Sequence, residues 1–406
     1  PDLRPGGDGE VRHGDGRPGG AGAGVTAEAF LASTRDAAVA AAHPLASWTA
    51  YWELSNRLST AQQPELDAFY ARWPATYVED RLRNDWLLEP GQRRDWANFR
   101  AEFPRFRMND DRDVSCYALL TQHLSGQDVR AAARAAWWAQ RDGEDGCALL
   151  GRTLVEARVL GMDDAWQATR LAVEFNRPRA ARLSAALVSP AVGAAVADLY
   201  KDPARWLKSP PAGVYALNLA DVAELNILAL MRLAASDPEA AMKLLNPVTL
   251  LRLPPALAAT AWAHVGKQAA LKRLPQAADW SAAAWLQAAQ AGSAAPMWSD
   301  DLLAWHVRAA LQQPASDAER WTLVLRAIDA MSPAEQRDGA WVYWRARAQL
   351  AQARSGVEGD AVRVQARAAL AGLGAQLSFY GKLATEALGW RVALPPPPLA
   401  LSAAER

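Results

Sequence analysis

Histidine is the residue type in this sequence best suited to acid-base chemistry or metal binding, and its distribution argues against both. The five histidines are His13, His43, His123, His264 and His306. They are far apart, and none has a carboxylate or a cysteine at ligand spacing. His306 follows Trp305 on an apolar helix, where a hydrogen-bonded core histidine is favoured over a catalytic one. There is also no HExxH motif, GxSxG motif or Gly-rich phosphate loop. We therefore predict no catalytic, metal-binding or cofactor-binding residue.

Cys116 and Cys147 are the two cysteines of the chain, and their spacing is unlike that of a CxxC zinc or redox motif. Both lie on expected helices that are one hairpin apart, so stacked hairpins would bring them within one or two layers of each other. Two cysteines of an exported protein usually pair, whereas two in the cytosol usually remain buried thiols. We favour a disulfide between Cys116 and Cys147.

Tryptophan is unusually frequent, with 18 residues spread through the chain. Aromatic side chains can stack on sugar faces, so several of them could form a glycan track: Trp137, Trp138, Trp280, Trp285, Trp298, Trp305, Trp341 and Trp344. The alternative is that bulky side chains at helical spacing fill the layers between helices. For any single tryptophan we favour the core interpretation.

Residues 77–120 predict three consecutive helices, and helices of this kind are the elements that would position the histidines, cysteines and tryptophans. Apolar residues recur three or four positions apart, namely Val78, Leu82 and Trp86, then Trp96, Phe99 and Phe103, then Tyr117, Leu120 and Leu124. We expect the first helix to end at Pro90-Gly91, the second to end at Pro104, and Asn109, Asp110 and Asp111 to cap the third. A helix with one apolar stripe cannot bury it alone. The prediction is an all-α fold, an α-solenoid of stacked antiparallel helix hairpins.

Later helices share a start signal, a capping side chain followed by proline. It occurs at Asp202-Pro203, Asp237-Pro238 and Ser332-Pro333, and Glu335 would complete a capping box with Ser332. Ser316 to Glu319 predicts a second box without the proline. This recurrence favours a hairpin repeat of about 34 residues, similar to tetratricopeptide-like units.

The chain has no overall excess of basic residues of the kind that binds nucleic acid, since 44 Lys and Arg balance 44 Asp and Glu in the 406 residues. Between Arg81 and Asp113 arginine alternates with aspartate, which we interpret as a solvated, salt-bridged helix face in preference to a ligand patch. No apolar run approaches the roughly 20 residues that span a bilayer. No signal peptide is recognisable, because the sequence lacks an initiator Met, a basic n-region and an apolar h-region.

The amino-acid composition divides the chain into three segments. Residues 1–24 are rich in Gly and Pro and are expected to be disordered. Residues 25–390 form the expected superhelical domain. Residues 391–406 contain Pro395 to Pro398 and are expected to be an extended linker and tail.

Five segments carry a family resemblance, at both ends of the helical region. They are Arg81 to Glu89 (RLRNDWLLE), Arg93 to Phe99, Arg105 to Leu120, Ala340 to Gln352 and Ser378 to Gly389. They resemble the α-superhelical domain of the soluble lytic murein transglycosylases, periplasmic enzymes that cleave the MurNAc-GlcNAc bond of peptidoglycan and leave a 1,6-anhydromuramyl product. The resemblance implies a periplasmic location, peptidoglycan glycan strands as partners and no cofactor.

The resemblance also implies that this chain is not catalytic by itself. The family's lysozyme-like domain carries a Glu followed by Ser, then Gly-Leu-Met-Gln and Ala-Tyr-Asn-Ala-Gly stretches, and none of these occurs here. The sequence stops where the family's linker and catalytic domains are expected to begin. The first hypothesis is the scaffold portion of such an enzyme, and the second is a stand-alone helical-repeat module that binds a protein or peptide. The reading frame beyond Arg406 would separate them.

Overall fold

A computed structural model describes residues 26–142, 144–245, 253–292, 296–314, 318–391, 400 and 402. All regular structure in these ranges is helical, and they contain no β-strand. The contacts divide the chain into two compact units, Pro1–Val114 and Ser115–Arg406. The predicted disordered start, most of the proline-rich tail and the start of the box predicted at Ser316 lie outside the described residues.

The first unit consists of short hairpins around one small core. Its helices are α1 (Ala27–Ala40), α2 (Ala46–Asn56), α3 (Gln63–Arg72), α4 (Tyr77–Arg93) and α5 (Trp96–Glu102), and the unit ends early in α6 (Arg112–Leu124). Two 3-10 turns, Leu58–Thr60 and Phe103–Arg105, connect some of them. Leu66, Phe69 and Leu82 are among the residues buried at its centre.

The second unit continues the same pattern over the rest of the chain. Its helices are α7 (Arg130–Trp138), α8 (Asp145–Glu156), α9 (Met162–Glu174), α10 (Pro178–Val188), α11 (Pro190–Lys201), α12 (Pro203–Lys208), α13 (Leu219–Ser236), α14 (Pro238–Leu244), α15 (Pro255–Leu271), α16 (Ala277–Gln290), α17 (Asp300–Leu311), α18 (Ala318–Ala330), α19 (Gly339–Gln352), α20 (Val357–Gly374) and α21 (Phe379–Ala387). The 3-10 turns Ala212–Ala216 and Glu335–Arg337 lie between them.

Consecutive helices pack as hairpins because their connections are short and their facing residues are small. Ser189 alone joins α10 to α11, and the two helices lie against each other. Helices α15 and α16 approach so closely that a Cβ on Gly266 would lie 2.8 Å from the hydroxyl of Ser281. The all-α prediction of stacked helix hairpins is confirmed.

A disulfide joins Cys116 on α6 to Cys147 on α8, with the two Cα atoms 5.0 Å apart. Both residues are fully buried. The stacking of neighbouring hairpins brings together two residues separated by 31 positions. The bond predicted from the sequence is therefore present in the structure.

The helix starts fall where the capping residues predicted them, with one exception. Asp202 accepts a hydrogen bond from the amide of Arg205, and Asp237 accepts one from Ala240, both at 2.9 Å. Ser332 makes only half of the predicted capping box, because its hydroxyl accepts a hydrogen bond from the amide of Glu335 at 3.3 Å and only a 3-10 turn follows. The reciprocal bond is replaced by others: the Ser332 amide donates to Asp300 at 2.7 Å, and the carboxylate of Glu335 accepts from the indole of Trp341 at 2.8 Å.

The prediction that Pro90-Gly91 ends the first helix of residues 77–120 is also wrong. Helix α4 runs on to Arg93 and buries both residues. Proline removes only one amide donor, and here the helix closes a turn later, where Arg94 adopts φ 60°. The amide of Asp95 then donates to the carbonyl of Pro90 at 2.8 Å, which is the six-residue closure of a Schellman motif.

The charges of α4 form the solvated face that the sequence suggested only in part. The side chain of Arg83 is buried, with its guanidinium over the ring of Tyr70 and ion pairs to Glu79, at 2.7 Å, and to Glu102. The alternation of Arg and Asp showed that charges would pair, but it did not show which side of the helix would be covered by α3 and α5. Removing the phenol from water also raises the pKa of Tyr70.

Asp80 has a structural role in the same buried region. Its carboxylate accepts hydrogen bonds from the backbone amides of Arg107, at 2.9 Å, and Met108, at 2.7 Å. These amides belong to the segment between α5 and α6 and have no helical partner, so Asp80 fixes the path of the chain there. Part of the charged face is exposed as predicted, since Arg93 pairs with Glu89 at the surface.

Candidate ligand-binding cavity

A cavity of about 550 Å³ lies within the second unit, between α9, α13, α15, α16 and the residues that precede α17. Its apolar wall includes Met162, Trp166, Leu257, Met297, Trp298 and Leu302. This volume and an apolar lining with a few polar groups are typical of sites for small ligands.

Helix α9 supplies three polar residues on one face, because Gln167, Arg170 and Glu174 are three and four positions apart. Gly161 is the N-cap residue of this helix, and its amide donates to the carboxylate of Asp164 at 2.9 Å. This bond fixes the first turn and therefore the direction in which the polar face points.

Arg170 connects α9 to α13 through a half-buried ion pair. Its guanidinium donates to both carboxylate oxygens of Glu224, at 2.6 and 2.7 Å, and to the side-chain oxygen of Gln167, at 2.9 Å. The amide nitrogen of Gln167 donates in turn to the carbonyl of Met297 at 2.9 Å. Burial raises the pKa of Glu224, and the charge of Arg170 opposes that change.

Glu174 and Lys267 form the most buried ion pair of the cavity region. Their side chains are 3% and 6% exposed, and Lys267 Nζ lies 2.8 Å from Glu174 Oε1 and 2.6 Å from Asp301 Oδ2. The hydroxyl of Ser299 donates to Glu174 at 2.6 Å and also accepts from the amide of Leu302, which caps α17. One hydroxyl thus fixes both the carboxylate and the start of the helix.

The pKa values of this pair reflect burial and mutual attraction. Burial raises the pKa of Glu174, while Lys267 and the bond from Ser299 oppose that rise. Burial works against the charged form of Lys267, but Glu174 and Asp301 together raise its pKa above the ordinary value. Lys267 therefore stays positively charged, next to Glu174 of the cavity wall.

Two buried histidines lie beside the pair. His264 lines the cavity, and its imidazole has no hydrogen-bond partner among the described residues. Burial lowers its pKa well below the usual value, and the charges of Lys267 and Arg170 lower it further. His306 contacts the ring of Trp298 and donates from Nε2 to the carbonyl of Ala263 at 3.0 Å, which agrees with the core role predicted for it.

Acidification is expected to destabilise the protein through His306. Burial lowers its pKa from 6.5 to about 4, so between these values the unfolded chain binds protons that the folded chain does not. The free energy of unfolding should fall as the pH drops below about 6.5, by about 3 kcal/mol at pH 4 from this group alone. Glu174 and Glu224 act with the opposite sign, because their raised pKa values favour protonation in the folded state.

The measurement is urea unfolding at several pH values between 7.5 and 4. His306→Gln keeps a donor for the carbonyl of Ala263 but cannot titrate, so its stability should depend less on pH than that of the wild type. His43→Gln, at an exposed histidine, is the matched control. Equal pH dependence in all three proteins would contradict the assignment.

The tryptophans divide between the core and the cavity. Trp137, Trp280, Trp285 and Trp341 are buried, as the core interpretation predicted. Trp298 lines the cavity and packs against Trp285, with 4.8 Å between ring centroids. The candidate glycan track is therefore not a continuous exposed surface.

Sequence reasoning missed the polar residues of this cavity. It treated the histidines as isolated, but His264 lies at the cavity with Glu174 and Arg170. A signal was present in the spacing of Gln167, Arg170 and Glu174, and in His264 and Lys267 three apart on an alanine-rich helix. In the part of the chain that the structure describes, no group of three or more His, Cys, Asp or Glu residues could hold a metal ion.

The fold and the cavity define the class of protein, which is a helix-hairpin α-solenoid with a partly polar pocket in its second unit. Comparison with protein-family models and with curated proteins gives no match. Within the described ranges, no helix is both long enough and apolar enough to cross a membrane.

The solved structures that this chain resembles include soluble lytic transglycosylases. An inactive mutant of lytic transglycosylase Slt from Pseudomonas aeruginosa is similar over 90% of this chain and 57% of its own, with 23% identity and a TM-score of 0.51. The soluble lytic transglycosylase Slt70 from Escherichia coli aligns over 94% of this chain and 61% of its own, with 15% identity and a TM-score of 0.47. The match to Slt confirms the resemblance seen in the sequence as a likeness in fold. This chain spans about three fifths of the length of these two proteins.

Proposed function

We propose that this chain is the superhelical scaffold portion of a peptidoglycan lytic transglycosylase and does not itself cleave glycan. The observation that carries the proposal is the likeness in fold to Slt over 90% of this chain and 57% of that one. The five sequence segments that carry the resemblance also support it, because mixed Trp, Arg and Asn positions are less easily produced by chance than Leu and Ala. In this proposal residues 25–390 are the scaffold domain.

Absence of catalysis follows from the chemistry that the reaction needs. A carboxylic acid must protonate the glycosidic oxygen and then take a proton from the 6-hydroxyl of the sugar. Glu174 and Glu224 have raised pKa values, but each is paired with a cation, Lys267 and Arg170 respectively. A carboxylate held in such a pair is not free to transfer its proton, so we assign no catalytic residue to this chain.

A periplasmic location belongs to the same proposal. The disulfide between Cys116 and Cys147 supports it, since structural disulfides form and persist in oxidising compartments such as the bacterial periplasm. The partners that we propose are peptidoglycan glycan strands and the linker and catalytic domains of the family.

Cosedimentation with purified sacculi tests the partner. We expect the purified, disulfide-bonded chain to pellet with intact sacculi and to stay in the supernatant after the sacculi have been fully digested. A chain that remains in the supernatant in both cases would contradict the proposed partner.

The alternative is a stand-alone helical-repeat module that binds a protein or peptide. The cavity in the second unit is the observation that favours it. Sequencing the gene beyond the codon for Arg406 separates the two functions. An in-frame Glu-Ser followed by Gly-Leu-Met-Gln supports the scaffold, and a stop codon with retained expression supports the module.

A further inference from the structure

We propose that the cavity between α9, α13 and α15 is a binding site for an organic monocation, an ammonium group attached to an apolar body. The inference is separate from the proposed scaffold function. It depends on the shape of the cavity, the unsatisfied acceptors in its wall and the charges around it.

The cavity is large enough for an apolar body that carries at least one substituted ring. The cavity of about 550 Å³ has the indoles of Trp166 and Trp298 and the side chains of Met297 and Leu257 in its wall. Tryptophan faces attract cations as well as apolar groups, with the strongest effect when both partners are shielded from water.

Two acceptors in the wall lack a partner. The imidazole of His264 is 5% exposed and makes no hydrogen bond with any described residue. Glu174 uses Oε1 for both Lys267 and Ser299, and its Oε2 accepts no hydrogen bond from the described chain. Burial and nearby cations keep His264 neutral, so its ring offers a lone pair that an ammonium N–H can use.

A second cavity, of about 460 Å³, also has Glu174 and His264 in its wall. These two side chains therefore stand between two cavities, and neither is covered by packing on all sides. Their free acceptor atoms are therefore within reach of a ligand, whose hydrogen-bond donors could replace water there.

The surrounding charge selects a cation. Three carboxylates line the cavity, Asp163, Glu174 and Glu224, against one cation, Arg170. Lys267 does not line it and is paired with both Glu174 and Asp301. Asp163 has no ion pair among the described residues. A positive ligand would relieve this excess, whereas an anion would add to it.

Calorimetric titration of the full, disulfide-bonded chain at pH 7.5 with phenethylamine tests the proposal. Its neutral and anionic counterparts are 2-phenylethanol and phenylacetate. We expect phenethylamine to bind at least about tenfold more tightly than 2-phenylethanol, and phenylacetate not to bind. Equal binding of the amine and the alcohol, binding of phenylacetate, or binding of none of the three would overturn the proposal.

Variants locate the site. Thr260→Trp places a large side chain at a half-buried position of the wall without removing a charge, and it should abolish binding. Asp163→Asn should weaken binding of the amine but not of the alcohol, and Glu358→Gln, at an exposed position on α20, should leave both unchanged. Circular dichroism establishes that each variant is folded. Phenethylamine binding that survives in Thr260→Trp would place its site elsewhere and overturn the assignment.

Discussion

Replacing Lys267 with methionine is expected to lower the free energy of unfolding by about 3 to 5 kcal/mol. Methionine fills nearly the same volume, so the main loss is the positive charge between Glu174 and Asp301. Glu174 would remain as a carboxylate with a 3% exposed side chain and no cation within ion-pair distance. Breaking a buried pair by removing one partner is costly because the remaining charge has lost its hydration without compensation.

An ion pair at the surface is the control for this experiment. Lys201 and Asp198 are also 2.8 Å apart, but the side chain of Lys201 is 75% exposed. Lys201→Met should therefore change stability by no more than about 0.5 kcal/mol. The double variant Lys267→Met with Glu174→Gln should recover much of the loss, because it removes the stranded charge. The free energy of unfolding of each variant is measured with urea. If Lys267→Met lowers it by no more than Lys201→Met does, burial does not determine how much the pair of Lys267 and Glu174 contributes to stability.

Reducing the bond between Cys116 and Cys147 is expected to destabilise the second unit by about 3.7 kcal/mol. The bond closes a loop over a separation of 31 residues, and in the chain-entropy model a loop of this size stabilises the folded state by about that amount. Both cysteines are fully buried, so the reductant should act only when the structure opens locally.

Unfolding with and without dithiothreitol measures this effect. The variant Cys116→Ala with Cys147→Ala has no bond to reduce, so the reductant should not alter its unfolding midpoint. Alkylation and mass analysis establish the redox state of the wild type in each sample. Equal midpoints for oxidised and fully reduced wild type would refute the stabilising role of the bond.

Local features of the fold could be predicted from the sequence because they depend on neighbouring residues. Asp202 and Asp237 cap helices as expected, since a side-chain oxygen three positions before an amide is sufficient for the bond. The pairing of Cys116 with Cys147 was also accessible, because stacked hairpins limit the distance between adjacent helices.

Features that depend on tertiary packing could not be predicted. At Pro90 the sequence indicated a break, but the helix continues, buries the residue and closes at Arg94. The charge pattern around Arg83 contained no information on which side other helices would cover. The cavity combines residues from Met162 to Leu302, and their meeting depends on how several hairpins stack.

Incubation of the purified chain with isolated sacculi, followed by mass analysis of the released muropeptides, is the decisive experiment on catalysis. We propose a scaffold without a catalytic carboxylate, since the two glutamates with raised pKa values, Glu174 and Glu224, are held in ion pairs. We expect no 1,6-anhydromuramyl product above a protein-free control, because loss of a general acid alone costs about 10²- to 10⁴-fold in rate and positioning of the strand is lost as well. Product that accumulates in proportion to the amount of protein and persists after repurification would contradict this expectation, and would mean that an active site lies within the helices.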